Sequence, residues 1–212
     1  MAPAFITFEG IDGCGKSTQL RMLASELRLR GREVVVTREP GGTPLGARVR
    51  QLVLDSEEQV DPLAELLLYA ADRAQHVRAL VRPALDSGHV VLSDRYADAT
   101  VAYQGAGRGF PDEIISELVA LATGGLMPDL TLIFDLPVEE SQRRQAHRSD
   151  RGHKKDRLDA EDAAFHTRVR DAYQRIAAAD PQRVRIVDAS GSVQETQSQV
   201  MRLVMPFLES RQ

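Results

Sequence analysis

The glycine-rich segment GIDGCGKS (10–17) constrains this sequence most, because it lies between a short apolar run, AFITFE (4–9), and a helical pattern starting at Ser17. It fits the pattern G-x-x-x-x-G-K-[ST]. Glycines let the backbone curl until successive N–H groups face one anion, and the following helix N-terminus adds positive potential. We therefore expect a phosphate-binding loop at the carboxyl end of a first strand.

Each side chain of this loop has an expected task. Lys16 should reach the β- and γ-phosphates of ATP, and the Ser17 hydroxyl should bind Mg²⁺. Cys14 is expected to be a small filler that faces the protein, with a thiolate of lowered pKa as the alternative. The residues assigned to nucleotide phosphates are Gly10, Ile11, Asp12, Gly13, Cys14, Gly15, Lys16, Ser17 and Thr18.

Apolar, β-branched runs alternate with helical patterns along the chain. This alternation predicts an α/β, three-layer P-loop NTPase fold with a five-stranded parallel sheet flanked by helices, as one domain over residues 1–212. The predicted strands are 4–9, 33–39, 89–94, 130–135 and 183–189. The predicted helices are 17–30, 47–54, one from Asp61-Pro62 that continues past Pro83 after a kink, 111–122, one from Pro137, one through 165–176, and 193–208.

Composition excludes several classes of protein. The 212 residues are 42% hydrophobic and 27% charged, which is typical of a globular chain. A net charge of −4 argues against a nucleic-acid-binding role, and a single cysteine excludes an intrachain disulfide and a cysteine-rich zinc site. No apolar run approaches ~18 residues and the N-terminus lacks a signal pattern, so we expect a cytoplasmic protein with no membrane span. The histidines lack metal-binding spacing and, apart from His89 at a strand start, are expected on polar faces.

The phosphate loop alone is compatible with ATPases, GTPases and kinases. A GTPase needs an N-K-x-D motif, which is not found, and a motor or helicase needs a longer chain. These observations favour a nucleotide kinase. The alternatives are a kinase for another nucleotide or nucleoside, and an ATP-binding module without turnover.

Six segments in order resemble the thymidylate kinase family: FEGIDGCGKST (8–18), TREPGGTPLG (37–46), LLLYAADRAQH (66–76), SDRYADATVAYQGAGRG (93–109), PDLTLIFDLP (128–137) and DRLDAEDAAFHTRVRDAY (156–173). The resemblance implies a nucleoside-monophosphate-kinase fold. It also implies transfer of the γ-phosphoryl group of Mg·ATP to dTMP, and a homodimer.

The resemblance implies an acceptor site whose residues are Asp12, Arg38, Tyr69, Arg73, Arg95, Thr100, Tyr103 and Gln104. Arg38 and Arg95 would grip the acceptor phosphate, a task that suits the arginine fork. Tyr69 and Arg73, four residues apart on one helix face, would stack on and hydrogen-bond the thymine. Thr100 would lie near the base, and Tyr103 would crowd the sugar 2′ position.

The remaining acceptor-site assignments have structural alternatives. Gln104 would begin a loop, QGAGRG, that closes the pocket, and Asp12 would approach the acceptor 3′-hydroxyl. Asp94 is assigned with Ser17 to Mg²⁺. The alternatives are a surface ion pair for Arg38, a structural ion pair at Asp94-Arg95 and an Asx turn at Asp12. For Tyr69 and Arg73 they are a core tyrosine and a surface-capping arginine.

Phosphoryl transfer needs positive charge beside the moving group. The family supplies an arginine either from the phosphate loop or from a lid, and Gly13 and Cys14 leave this loop uncharged where the first type has its arginine. We therefore expect the lid type, with a short mobile lid at about 147–158. Arg151 is the first candidate and Arg148 the second, while Arg157 acts or anchors. The residues assigned to catalysis are Lys16, Arg95, Arg151, Arg148 and Asp12.

Overall fold

The structure is a computed structural model that describes residues 2–54, 59–149 and 156–211. Its strands are β1 (Ala4–Glu9), β2 (Val34–Arg38), β3 (Val90–Asp94), β4 (Leu130–Asp135) and β5 (Val184–Asp188). All five pair in parallel, in the order β2-β3-β1-β4-β5. The predicted sheet is therefore confirmed.

The helices that flank this sheet follow the predicted order. They are α1 (Lys16–Leu29), α2 (Pro44–Leu54), α3 (Pro62–His76), α4 (Arg82–Asp86), α5 (Ala97–Thr100), α6 (Asp112–Thr123), α7 (Val138–Ser149), α8 (Ala163–Ala179) and α9 (Val193–Glu209). The α3 cap is as expected, since Asp61 accepts a hydrogen bond of 2.8 Å from the Leu63 N–H and Pro62 follows it. Two π-helical segments, Val77–Val81 and Val101–Gly107, are additional to the prediction.

Apolar side chains fill both faces of the sheet. On one face, Leu23 of α1 and Val204 of α9 pack with Ile6 and Phe8 of β1. On the other face, α8 packs against β4 and β5, while Phe5 joins the π-helical segment at 77–81. The residues of β1 that face this second layer change from Phe5 to Thr7 to Glu9. The layer therefore becomes polar towards the carboxyl ends of the strands, where ligands bind in such sheets.

Candidate active site

The phosphate loop has the backbone conformation for which its glycines were predicted. Gly10, Gly13 and Gly15 have φ values of 131°, 87° and 94°, a region that L side chains rarely adopt. A Cβ at Gly10 would also lie 2.6 Å from the Phe134 carbonyl oxygen. Gly15 caps α1, so the N–H groups of the first helical turn face the loop. The loop is thus a concave surface of backbone donors.

Side chains of the loop contact the backbone and the core of the protein itself. The Lys16 ammonium donates to the carbonyls of Gly10 (2.9 Å) and Ile11 (3.0 Å). Cys14 is 2% exposed and belongs to the core, which agrees with the filler interpretation. Gln145 of α7 donates to the Asp12 carbonyl at 3.1 Å, a contact that the sequence did not indicate.

Ser17 and Asp94, the predicted metal ligands, lie together. The Ser17 hydroxyl donates a hydrogen bond of 2.5 Å to Asp94 Oδ2, which joins α1 to the end of β3. One hydroxyl and one carboxylate fit Mg²⁺, which keeps several waters and takes its other oxygens from substrate phosphates. Within the described ranges, no group of three or more His, Cys, Asp and Glu side chains could hold a metal.

Arg95 joins the phosphate loop to the second layer. Its guanidinium donates to Asp12 (2.7 Å), to the Gly10 carbonyl (3.1 Å) and to the Tyr103 hydroxyl (3.0 Å). Burial opposes ionisation of Asp12, but the charges of Arg95 and Lys16 outweigh it and hold the pKa of Asp12 below its ordinary value. Asp12 is therefore an ion-pair partner and not the acceptor of an Asx turn. Arg95 thus forms a structural ion pair, the alternative named for this strand end, and its partner is Asp12.

Arg73 lies in a buried network. It donates to Glu39 (2.8 Å), to the Thr100 hydroxyl (2.7 Å) and to the Tyr96 carbonyl (2.8 Å), and only 2% of it is exposed. The surface-capping alternative for Arg73 is therefore wrong. Glu39 also binds His76 Nδ1 at 2.7 Å, so one carboxylate holds two side chains of α3.

Two adjoining cavities occupy this end of the sheet. The larger, about 680 Å³, is lined by the phosphate loop together with Arg38 and Asp94. The smaller, about 60 Å³, is lined by Tyr69, Arg73 and other side chains of the second layer. Residues that line both are Asp12, Glu39, Arg50, Arg95 and Asp156. Every described residue assigned to the acceptor site therefore lines one of these cavities, and the Arg95–Asp12 pair is part of the boundary between them.

Glu65 fixes Gln104, one of the side chains that line the smaller cavity. This fully buried carboxylate accepts from Gln104 (2.8 Å), from Arg108 (3.1 Å) and from Arg157. Arg157 also donates to the Val53 carbonyl at 3.0 Å, so it anchors the chain after residue 155. The predicted loop conformation of QGAGRG is wrong for residues 104–107, which lie in the π-helical segment 101–107, while Arg108 and Gly109 form a turn. Gln104 does line the smaller cavity.

The predicted lid falls largely outside the described residues. Arg151, Lys154 and Lys155 lie there, and Arg148 lies in the last turn of α7 with its side chain outside the description. Arg144, expected to be a solvated charge, is half-buried: it pairs with Glu140 at 2.8 Å and donates to the Ser190 carbonyl at 3.4 Å.

Two histidines are buried where polar faces were expected. His76 is fully buried, with Nε2 2.7 Å from the Thr37 hydroxyl and Nδ1 bound to Glu39. His166 is 3% exposed. Sequence reasoning also missed Glu9 and Tyr173, which are buried beneath Arg95; the only sequence signal was an acid directly before the phosphate loop.

These features define a phosphate-loop nucleotide-binding protein. They are a parallel sheet with a glycine loop, a lysine and a serine at the start of α1, and a second cavity rich in arginines beside them. A family model described as thymidylate kinase matches residues 8–200. The chain is 52% identical to the thymidylate kinase of Geobacter sp. strain M21, covering 91% of this chain and 87% of the relative. It is also 52% identical to that of Nitratidesulfovibrio vulgaris strain Miyazaki F, covering 97% of this chain and 98% of the relative.

A crystal structure of thymidylate kinase from Ehrlichia chaffeensis superposes with a TM-score of 0.79 at 33% identity, covering 97% of this chain and 100% of the other. The chain belongs to the thymidylate kinase family. The resemblance found in the sequence is confirmed.

Proposed function

We propose that this chain transfers the γ-phosphoryl group of ATP to dTMP, giving ADP and dTDP. The observation that carries the proposal is the pair of adjoining cavities that meet at Arg95 and Asp12. One has the backbone of a phosphate loop, and the other has an aromatic ring and a fixed arginine for a base. A donor and an acceptor bound in the two would bring their phosphates together at this boundary.

ATP occupies the larger cavity in this proposal. The loop residues 10–18 bind its phosphates through backbone N–H groups and Lys16. Mg²⁺ binds at Ser17 and Asp94, whose oxygens already lie at hydrogen-bond distance. When bound, the ion neutralises charge on the transferring phosphates.

The acceptor dTMP occupies the second cavity. Arg95, which lines both cavities, and Arg38, which lines the larger one next to Glu39, bind its phosphate. Arg38 is exposed and forms no ion pair within the described ranges, so its guanidinium is free for an anion. Tyr69, Arg73, Thr100 and Gln104 surround the base, and Tyr103 lies beside the sugar. Two arginines for a phosphate favour a monophosphate acceptor over a nucleoside.

Catalysis in this proposal consists of positioning and electrostatic stabilisation. The acceptor phosphate is already an anionic nucleophile, so the site requires no strong base. Lys16 and lid arginines, with Arg151 first and Arg148 second, supply positive charge to the transferring group. Asp12 orients Arg95 through their 2.7 Å ion pair.

ADP release from Mg·ATP, measured with and without dTMP, tests this proposal against an ATP-binding module without turnover. Release that depends on dTMP supports the kinase. ATP binding measured by calorimetry, without any dTMP-dependent release, would support the module instead.

We also propose a homodimer in the cytoplasm, where ATP and dTMP are available. Leucines of α3 and α6 expose apolar surface, with Leu67 51% exposed and Leu121 73% exposed, around a groove lined by Ala71, Ala74 and Leu118. Leu121→Glu should convert a dimer into a monomer in sedimentation velocity; a wild-type monomer would contradict the proposal.

No described helix combines the length and the apolar character that a membrane span requires.

A further inference from the structure

Arg95 has a backbone conformation that must be imposed on it. Its φ of 71° lies in the left-handed region, which bulky L residues rarely adopt. The backbone around it is fully hydrogen-bonded. The Arg95 N–H donates to the Phe8 carbonyl (2.9 Å) and its carbonyl accepts from the Ser93 hydroxyl (2.8 Å). The next N–H, of Tyr96, donates to Glu9 Oε1 at 2.7 Å.

Glu9 is also linked to the Arg95 side chain. The Tyr173 hydroxyl donates to Glu9 Oε2 at 2.8 Å and accepts from Arg95 Nη1 at 3.5 Å. One carboxyl group therefore contacts the peptide that follows Arg95 and the tyrosine that supports its guanidinium. The two hydrogen bonds of Glu9 are buried, and they join β1 to the segment after β3 and to α8.

The surroundings of Glu9 show which groups its carboxyl oxygens serve. Glu9 is fully buried and is not among the residues that line either described cavity. Burying a polar group is costly unless its hydrogen bonds are satisfied. Both Glu9 oxygens are satisfied, and both by groups attached to Arg95 or touching it. Glu9 therefore acts on the arginine and not on a ligand.

We propose that Glu9 is a positioning residue that sets the conformation of Arg95 and, through it, the binding of the acceptor phosphate. The proposal rests on the proposed role of Arg95 in binding that phosphate.

Two substitutions of Glu9 that differ in side-chain length test the proposal. Glu9→Asp draws the carboxyl group back by one methylene and breaks both links, whereas Glu9→Gln keeps the length and an acceptor for Tyr96. Since small displacements of positioning groups are costly, we expect E9D to lower kcat/KM for dTMP about tenfold or more, with little change in KM for ATP. E9Q should remain within about threefold of the wild type.

Thr7→Val is the matched control, because Thr7 is equally buried on β1 but bonds Thr131 (2.8 Å) and not the Arg95 region. It should lower the melting temperature and leave kcat/KM for dTMP unchanged. If E9D lowers kcat/KM for ATP as much as for dTMP, as a general loss of structure would, the proposal is overturned. If E9D does not fold, Tyr173→Phe removes only the side-chain link. An unchanged kcat/KM for dTMP in Tyr173→Phe would then overturn the proposal.

The variant Arg95→Ala separates this proposal from the one on which it rests. An unchanged kcat/KM for dTMP in R95A would contradict the role of Arg95 itself. If R95A is impaired and E9D is not, only the role of Glu9 is overturned. In the double variant E9D/R95A, the Glu9 effect should vanish, since Glu9 then has no arginine to position. Effects that simply add would contradict the proposal.

Discussion

The hydroxyl of Ser17 lies 2.5 Å from the carboxylate of Asp94, across a separation of 77 residues in the chain. This contact joins the phosphate loop to the end of β3 and places two oxygen ligands at one point of the larger cavity. It makes the proposed Mg²⁺ site directly testable.

Asp94→Asn should raise the Mg²⁺ concentration that gives half-maximal velocity, because a neutral amide oxygen is a weaker ligand for a hard cation than a carboxylate. We expect a shift of about tenfold, in line with the loss of one charged ligand. Titration of activity with Mg²⁺ at fixed total ATP measures it. Ser25→Ala, at an exposed serine of the same helix, is the control and should show no shift. An unchanged Mg²⁺ requirement in D94N would contradict the site.

The buried pair of Arg73 and Glu39 should contribute strongly to stability. Both side chains are at most 3% exposed, so removal of Arg73 leaves a buried carboxylate without its main counter-charge. We expect Arg73→Ala to lower the free energy of unfolding by about 3–5 kcal/mol. The exposed Arg143–Glu140 pair provides the comparison, and Arg143→Ala should cost far less, because solvent screens that pair. Denaturant titration measures both, and equal losses would contradict the interpretation.

The pKa of Glu9 predicts a dependence of stability on pH. Burial, with the nearby Asp98 carboxylate, raises this pKa from 4.5 to about 8, although Arg95 and hydrogen bonds from Tyr173 and Tyr96 oppose the rise. Between pH 4.5 and about 8, Glu9 is therefore protonated in the folded protein and ionised in the unfolded chain. The contribution of Glu9 to the free energy of unfolding falls as pH rises through this interval.

Glu9→Gln cannot ionise, so it should gain stability relative to the wild type as pH rises from 5 to 9. Denaturant titrations of both proteins at pH 5, 7 and 9 measure this difference. A difference that stays constant with pH would mean that Glu9 has an ordinary pKa in the folded protein.

The proposed catalytic role of Arg151 rests on the sequence alone, since this residue lies outside the described ranges. Loss of an arginine that neutralises charge in the transition state lowers kcat more than it raises KM for the acceptor. We expect Arg151→Ala to lower kcat by about 10³-fold. Arg143→Ala, which removes an exposed arginine of α7 that pairs with Glu140, is the control. An unaltered kcat in R151A would transfer the role to Arg148.

Much of the fold was predictable because its signals are local. The strands are apolar runs, Asp61-Pro62 begins α3, and the glycines of the phosphate loop have the positive φ values that the motif requires. The boundaries of β4 were predicted at the observed residues.

The contacts that are not local were missed. His76 is buried because Thr37 and Glu39, 39 and 37 residues away, satisfy its ring nitrogens, and nothing in the neighbouring sequence indicates this. In the π-helical segment 101–107, Gln104 donates to Glu65 of α3, 39 residues away in the chain. A run of glycines and small residues there resembles a loop until that partner is known.

ADP release from Mg·ATP tests the proposed phosphoryl transfer to dTMP most directly, when it is measured with a panel of acceptors: dTMP, dUMP, UMP, CMP, AMP, GMP and thymidine. The cavity with Tyr69, Arg73 and Tyr103 predicts strong turnover with dTMP, weak turnover with dUMP and none with the ribonucleotides or thymidine. Turnover with thymidine or CMP in place of dTMP would contradict the assigned acceptor site while leaving the phosphate loop in place.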